Sequence, residues 1–253
     1  MFFVAEHKNY CGKNPFLRFW YRLKPVRSKT KKVRRELYRC EMIEVRTVCG
    51  KLNADRANAA LFSYSRRLIL PDTLKGMGLD CFDSSEYLRG ILFNTAAYIL
   101  SRAQTDKRSL TATVIDRTGS YARRAVQLFR VAGCIQIYTE QPQKYRLLSN
   151  DALERFGTDF VIRPQNSSTA ELDFVLSPDE TPPCIYINNE RNELDESVFK
   201  AASGFSRLCP SGVSDCDLAA AIAVFDKQSR FFSLRSETLR RGKNIIRTNE
   251  IEL

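Results

Sequence analysis

Hydrophobic and polar positions follow two rhythms along the 253-residue chain, and together they mark out three stretches. Up to about Gly50 the rhythm has period two. Leu17, Phe19, Tyr21 and Leu23 alternate with Arg18, Trp20 and Arg22, the pattern of a half-buried strand. A second run, Leu37 to Val48, ends in Met42-Ile43-Glu44-Val45-Arg46-Thr47-Val48, and the basic segment Pro25 to Lys32 joins the two. The expected element is a two-stranded ribbon with a long basic tip. From 51 to 108 the period lengthens. Asn53 caps an alanine-rich helix, Arg67 to Leu70 is a short strand stopped by Pro71, and Asp83 with Glu86 opens a helix over 84–103. That helix carries Leu88, Ile91, Leu92, Thr95 and Ile99 on one face.

The third stretch alternates strand and helix. Thr111 to Asp116 is an apolar run ending in a carboxylate, and Ala122 to Val131 is helical, with Gly133 placed as its C-cap. Cys134 to Tyr138 is the next strand, and Lys144 to Phe156 a helix stopped by Gly157. Three more strands are expected at 159–162, 172–176 and 184–187, then a helix from Asp217 to Phe225. The acids Glu193, Asp195 and Glu196 read as another helix start. Alternation at this spacing predicts a parallel sheet between helices, with right-handed crossovers.

In such a sheet, ligands sit beyond the carboxyl ends of the strands where strand order reverses. A central first strand delivers Asp116, Thr118, Gly119 and Ser120 to that crevice, with Arg123 in the first turn of the helix behind. Pro178 to Pro183 either rims the same crevice or is a plain connector. With the strand ending in Asp116, the turn glycine Gly119, and Glu140 at 21 positions beyond it, the segment 109–225 resembles an NAD(P)-binding Rossmann domain. The expected fold class is α/β, a Rossmann-like parallel sheet with flanking helices as in that family, preceded by a smaller α+β module that the N-terminal pattern itself predicts, carrying the basic β-ribbon. The resemblance also implies a nucleotide or phosphorylated ligand, with NAD or NADP as the cofactor, held by Asp116, Thr118, Gly119, Ser120, Arg123 and Glu140. The turn departs from the family's G-x-G-x-x-G in having one glycine and a bulky Tyr121. The expected domains are 1–108, 109–225 and a C-terminal extension, 226–253, ordered through Phe231, Phe232, Leu234, Ile245 and Ile246.

Charge sharpens the picture. Residues 1–60 hold 15 Lys/Arg against 5 Asp/Glu, whereas the rest hold 25 against 24, so almost all of the net +11 lies in the first quarter. From Arg18 to Arg35 there are nine Lys/Arg and no acid. Lys29, Lys31, Lys32, Arg34 and Arg35, beside Phe19, Trp20 and Tyr21, are candidates for a nucleic acid or an acidic protein. Their other reading is an edge strand guarded by charge.

Eight cysteines at irregular spacing, without a C-x-x-C pair, read as reduced thiols, and His7 is the one histidine. No metal site is expected, and a Ser-His-Asp arrangement around Ser120 lacks both its histidine and the G-x-S-x-G turn. The N-terminus lacks the apolar core of a secretory signal. The longest apolar run, Ile91 to Leu100, includes Asn94 and Thr95 and is too short to span a bilayer. The expectation is a cytoplasmic protein without a membrane partner. Two functions stay open: a ligand-binding, dehydrogenase-like domain, with Lys107 and Tyr121 as proton donors only by proximity in sequence, or a non-catalytic scaffold working through its basic N-terminus.

Overall fold

The computed structural model describes residues 1–34, 38–164, 173–195, 212–227, 231, 233–251 and 253. The chain divides into two compact units, Met1–Glu86 with Phe199–Phe232, and Tyr87–Val198 with Ser233–Leu253. This differs from the expected boundaries at 108/109 and 225/226, for reasons that lie in each core.

The first unit is built on a four-stranded sheet of order β2-β3-β1-β4, formed by β1 (Phe2–Tyr10), β2 (Val26–Arg34), β3 (Arg39–Val48) and β4 (Leu68–Ile69). The two neighbours of β1, β3 and β4, run parallel to it, and β2 pairs antiparallel with β3 at the sheet edge. Ala5, Ile43, Val45, Leu61, Leu68, Leu70 and Leu74 form its core, each large side chain contributing about 1.5–3 kcal/mol by burial. Glu44, buried on β3, is neutralised by Lys8 at 2.8 Å and Arg46 at 2.7 Å.

The expected strand over Leu17–Leu23 is instead helix α1 (Pro15–Leu23). Asn14 accepts hydrogen bonds from the N–H groups of Phe16 and Leu17, and Pro15 fits the first helical turn, where its missing N–H costs nothing. Phe16, Phe19, Trp20 and Leu23 also stand at i, i+3, i+4 and i+7, so the apolar pattern satisfies both periods, and the cap decides. The ribbon exists, but its first strand is the basic segment itself, Val26–Arg34. Helix α2 (Ala54–Leu61) starts at Asn53 as expected, with Asn53 Oδ1 accepting from Arg56 N–H. The helix over Asp215–Phe225 belongs to this unit and not to the Rossmann-like one, because Asp217 is tied to Lys75 at 2.8 Å and to Ser84.

The second unit carries an eight-stranded sheet of order β12-β11-β10-β9-β8-β5-β6-β7. Its parallel half is β5 (Thr111–Ile115), β6 (Cys134–Tyr138), β7 (Val161–Arg163) and β8 (Phe174–Ser177). Helices α3 (Ser85–Arg102), α4 (Ala122–Leu128) and α5 (Pro142–Phe156) supply the rest of the core, so the stripe of α3 counts with this unit. Ala112, Thr113 and Val114 of β5 are all buried, as for a central strand covered on both faces. The α/β, Rossmann-like class follows from this order, with β5 in the middle.

Beyond β8 the sheet changes direction. β9 (Cys184–Ile187) is antiparallel to β8, since the six-residue connection 178–183 is too short for a parallel crossover. β10 (Glu190–Leu194) takes Glu193 into a strand, not a helix start, and Glu196 lies outside the described residues. The tail, expected as an extension, forms β11 (Thr238–Arg241) and β12 (Asn244–Arg247) and completes the sheet.

Gly157 ends α5 with φ +71, as a C-cap should. Gly133 does something else: a Cβ there would lie 2.5 Å from the carbonyl oxygen of Arg108 and 2.7 Å from its Cα. It is a close-approach glycine that lets the start of β6 pass the start of β5. Gly133→Ala should therefore lower stability by about 1–3 kcal/mol, the usual cost of forced overpacking, measured by denaturant unfolding.

Candidate functional site

Strand order reverses between β5 and β8: the chain leaves β5 toward β6 and β7, then returns to the other side of β5. The switch point at which the sequence reading places a ligand thus lies at the carboxyl ends of β5 and β8. Asp116, fully buried, stands where β5 ends. Its Oδ1 accepts from Ser120 N–H at 3.1 Å and its Oδ2 from Tyr121 N–H at 2.8 Å and the Tyr145 hydroxyl at 2.7 Å. The Thr118 hydroxyl lies 3.4 Å from Oδ1. The carboxylate closes the turn 116–121 on itself and supplies what α4 lacks, since Tyr121 at its N-cap makes no side-chain capping bond. The phenol of Tyr145, from α5, is pushed up by burial and then by the Asp116 charge, so it stays a donor.

Gly119 adopts φ +64, and a Cβ there would meet Lys144 Cδ at 2.8 Å and Gln141 Cβ at 3.1 Å. Lys144 Nζ donates to Thr118 O at 2.6 Å. Glu140 N–H donates to Arg117 O at 3.2 Å, which brings the end of β6 against the same turn. The structure therefore gathers Asp116, Thr118, Gly119, Ser120 and Glu140 into one cluster, with Arg123 exposed in the first turn of α4. Thr118 and Ser120 are exposed and linked hydroxyl to hydroxyl at 2.7 Å.

The connection 178–183 forms a rim beside the same turn. Asp179 Oδ2 accepts from Arg117 N–H at 2.7 Å, and Arg89 of α3 donates from Nε to Pro178 O at 3.1 Å while lying over the Tyr121 ring. Sequence reasoning offered Pro178 to Pro183 as one reading of the rim without singling out Asp179, and it missed Lys144, Tyr145 and Arg89, because each is distant along the chain from the turn it serves. Behind the rim, Glu180 accepts from the Tyr186 hydroxyl at 3.0 Å, from Arg191 Nε at 3.3 Å and from the Cys184 thiol at 3.3 Å. Burial, then the Glu180 hydrogen bond, pushes the Cys184 thiol up to about 12, so it is no nucleophile at neutral pH.

His7, in the first unit, has both ring nitrogens on hydroxyls, Thr73 at 3.0 Å and Thr47 at 2.9 Å. Of the basic candidates, Lys32 is exposed on β2. Lys29, Lys31 and Arg34 contribute backbone to that strand, and Arg35 lies outside the described residues. A separate cavity of about 360 Å³, lined by Ser109, Thr111, Thr113 and Asp173 among others, lies at the amino ends of β5 and β8, the wrong end for a sheet of this kind. Among the described residues no His, Cys, Asp and Glu side chains gather as metal ligands would, and no helix is long and apolar enough to cross a membrane.

No protein-family profile matches the chain, and no curated protein is similar to it in sequence. Among solved structures it is similar to L-tryptophan dehydrogenase from Nostoc punctiforme, with a TM-score of 0.28 and 11% identity over 70% of this chain. The similar region spans 56% of that enzyme. A likeness of that size says nothing about activity, and the Rossmann-like description rests on the strand order itself.

Two outcomes follow. Tyr145→Phe removes a hydrogen bond to a buried charge and should cost about 1.5–3 kcal/mol in denaturant unfolding. Asp179 is the opposite case. Burial pushes its carboxyl up, the Arg117 N–H pulls it partly back, and the Asp116 charge raises it again, leaving it above the ordinary value. The folded chain then holds the proton more tightly than the unfolded chain, so stability falls as pH rises through the carboxylate range. Asp179→Asn should raise the thermal midpoint at neutral pH, with the gain fading in acid below the ordinary carboxylate pKa; midpoints measured across that range check the sign.

Proposed function

We propose that the second unit binds a nucleotide or another phosphorylated small molecule at the carboxyl ends of β5 and β8. The observation that carries this reading is the topological switch between those strands, where Arg117 N–H is bound to Asp179 of the returning connection. Thr118, Ser120 and Arg123 offer exposed donors beside it, and Glu140 lies one strand away with an acceptor for a ribose hydroxyl.

The mode differs from the glycine-loop cradle of dinucleotide domains. Two N–H groups of the turn already serve Asp116, and Lys144 with Gln141 fills the space beside Gly119 through which a pyrophosphate would approach. Recognition then falls to side chains, which suits one phosphate better than the linked pair of NAD or NADP. Asp116 and Gly119 shape the turn, while Thr118, Ser120 and Arg123 meet the anion.

The test is thermal unfolding against ATP, AMP, NAD and NADP. A ligand at a hundred times its Kd adds about 2.7 kcal/mol to stability. A shift with a nucleotide that survives added salt and is lost in a Ser120→Ala/Arg123→Ala variant is the expected result. A midpoint indifferent to all four ligands, or a shift that the double variant keeps, overturns the reading.

A further inference from the structure

Helix α1 wears its apolar face on the outside. The least exposed residues of the helix are Arg18, whose Nε donates to Gly12 O at 2.8 Å in the connection before it, and Tyr21, whose ring meets Tyr10 of β1 and lies under Arg46 of β3. The opposite arc holds Phe16 (69% exposed), Phe19 (62%), Leu23 (41%) and Trp20 (38%). None of α1 is buried. A helix in a globular protein has this arrangement the other way round, with its apolar stripe on the core. Four large side chains at i, i+3, i+4 and i+7, two turns long, make a contiguous apolar surface presented to the surroundings.

The charges on the helix and directly flanking it are of one sign. Lys13 precedes the helix, Arg22 borders the arc on one side and Lys24 on the other, with Lys24 Nζ standing 4.5 Å from the centre of the Trp20 ring. Lys13, Arg22 and Lys24 are all exposed. From Lys13 to Arg35 the sequence has ten Lys/Arg and no acid, and much of that run is β2, at the sheet edge. A bulky aromatic arc bordered by long basic side chains matches one surface in both respects: a bilayer whose headgroups are anionic and whose acyl region lies just below them. Phe16, Phe19, Trp20 and Leu23 would enter the acyl boundary, while Arg22 and Lys24 extend their stems along the apolar surface and keep their charges among the phosphates.

We infer that α1 is an interfacial anchor, by which the first unit docks on an anionic lipid surface without spanning it. The absence of a long apolar helix bears on spanning and leaves this mode untouched. A second copy of the chain is a poor occupant, since its matching face brings the same run of positive charge. A nucleic acid satisfies the charges but offers no apolar bed for Phe16 and Leu23.

Trp20 is the only tryptophan in the chain and lies on the face in question, so its emission reports on docking directly. The whole protein is mixed with vesicles of phosphatidylcholine alone, and with vesicles of equal parts phosphatidylcholine and phosphatidylglycerol. Expected with the anionic vesicles are a blue shift of Trp20 emission and co-flotation, both weakened by salt, and neither with phosphatidylcholine alone. Phe19→Ser/Leu23→Ser should lower vesicle partitioning by at least about tenfold, from the apolar area removed, with an unchanged thermal midpoint because both side chains are exposed. Lys13→Glu/Arg22→Glu should lower it by about tenfold or more through charge. No shift and no flotation with anionic vesicles would overturn the inference. So would a double apolar variant that floats like the parent, or single-stranded DNA altering Trp20 emission where vesicles leave it unchanged.

Discussion

A carboxylate taken wholly out of water has to be answered by donors, and the second unit is arranged around one such group. Asp116 sits at the end of the central strand with no exposure, and an unanswered charge there would cost several kcal/mol. Two backbone N–H groups from the turn and one phenol from α5 supply the answer. Each partner fixes something else: the N–H groups set the curvature of the turn and the first residues of α4, and the phenol sets where α5 lies. Once α5 is placed, Lys144 and Gln141 close over Gly119, and that in turn decides which face of the turn is left to solvent. The exposed hydroxyls of Thr118 and Ser120 are what remains on the open side.

The parts of this arrangement that lie close together along the chain were legible in the sequence. β5, β6 and α5 are bounded by strong local signals: an apolar run ending in Asp116, another closed by Thr139, and a helix stopped at Gly157. Asp116, Thr118, Gly119, Ser120 and Glu140 could be grouped because a βαβ crossover returns the chain to the same edge of the sheet. The connection holding Asp179 could be set near them only as one of two readings, and Tyr145 not at all, since no spacing rule links a residue to a partner 62 or 29 positions away. The direction of β9 was not legible from its apolar content, which does not tell it from β8; the six residues between them set it.

The N-terminal stretch illustrates a different limit. Leu17, Phe19, Tyr21 and Leu23 fit a strand, Phe16, Phe19, Trp20 and Leu23 fit a helix, and the two sets share half their members. Asn14 and Pro15, just ahead of the run, carried the deciding information as an N-cap and a first-turn proline. Periodicity was the louder signal and misled, while the punctuation was right. Composition gave the density of positive charge there, but the side of the helix from which the apolar groups face outward depended on how Arg18 and Tyr21 were held.

The sheet of the second unit closes only when β11 and β12 arrive, more than forty positions after β10. During synthesis on the ribosome, Glu190–Leu194 is therefore a raw edge for the whole time that the intervening stretch, which includes a helix of the other unit, is being made. Glu190, Arg191 and Glu193 put three charges on that waiting strand, and in the finished protein Glu193 meets Arg191 and Arg240 while Arg241 meets Glu190. The same residues that discourage a stray strand from adding to the nascent edge later recognise the right one, so the late strand is selected by its arginines as well as by its backbone.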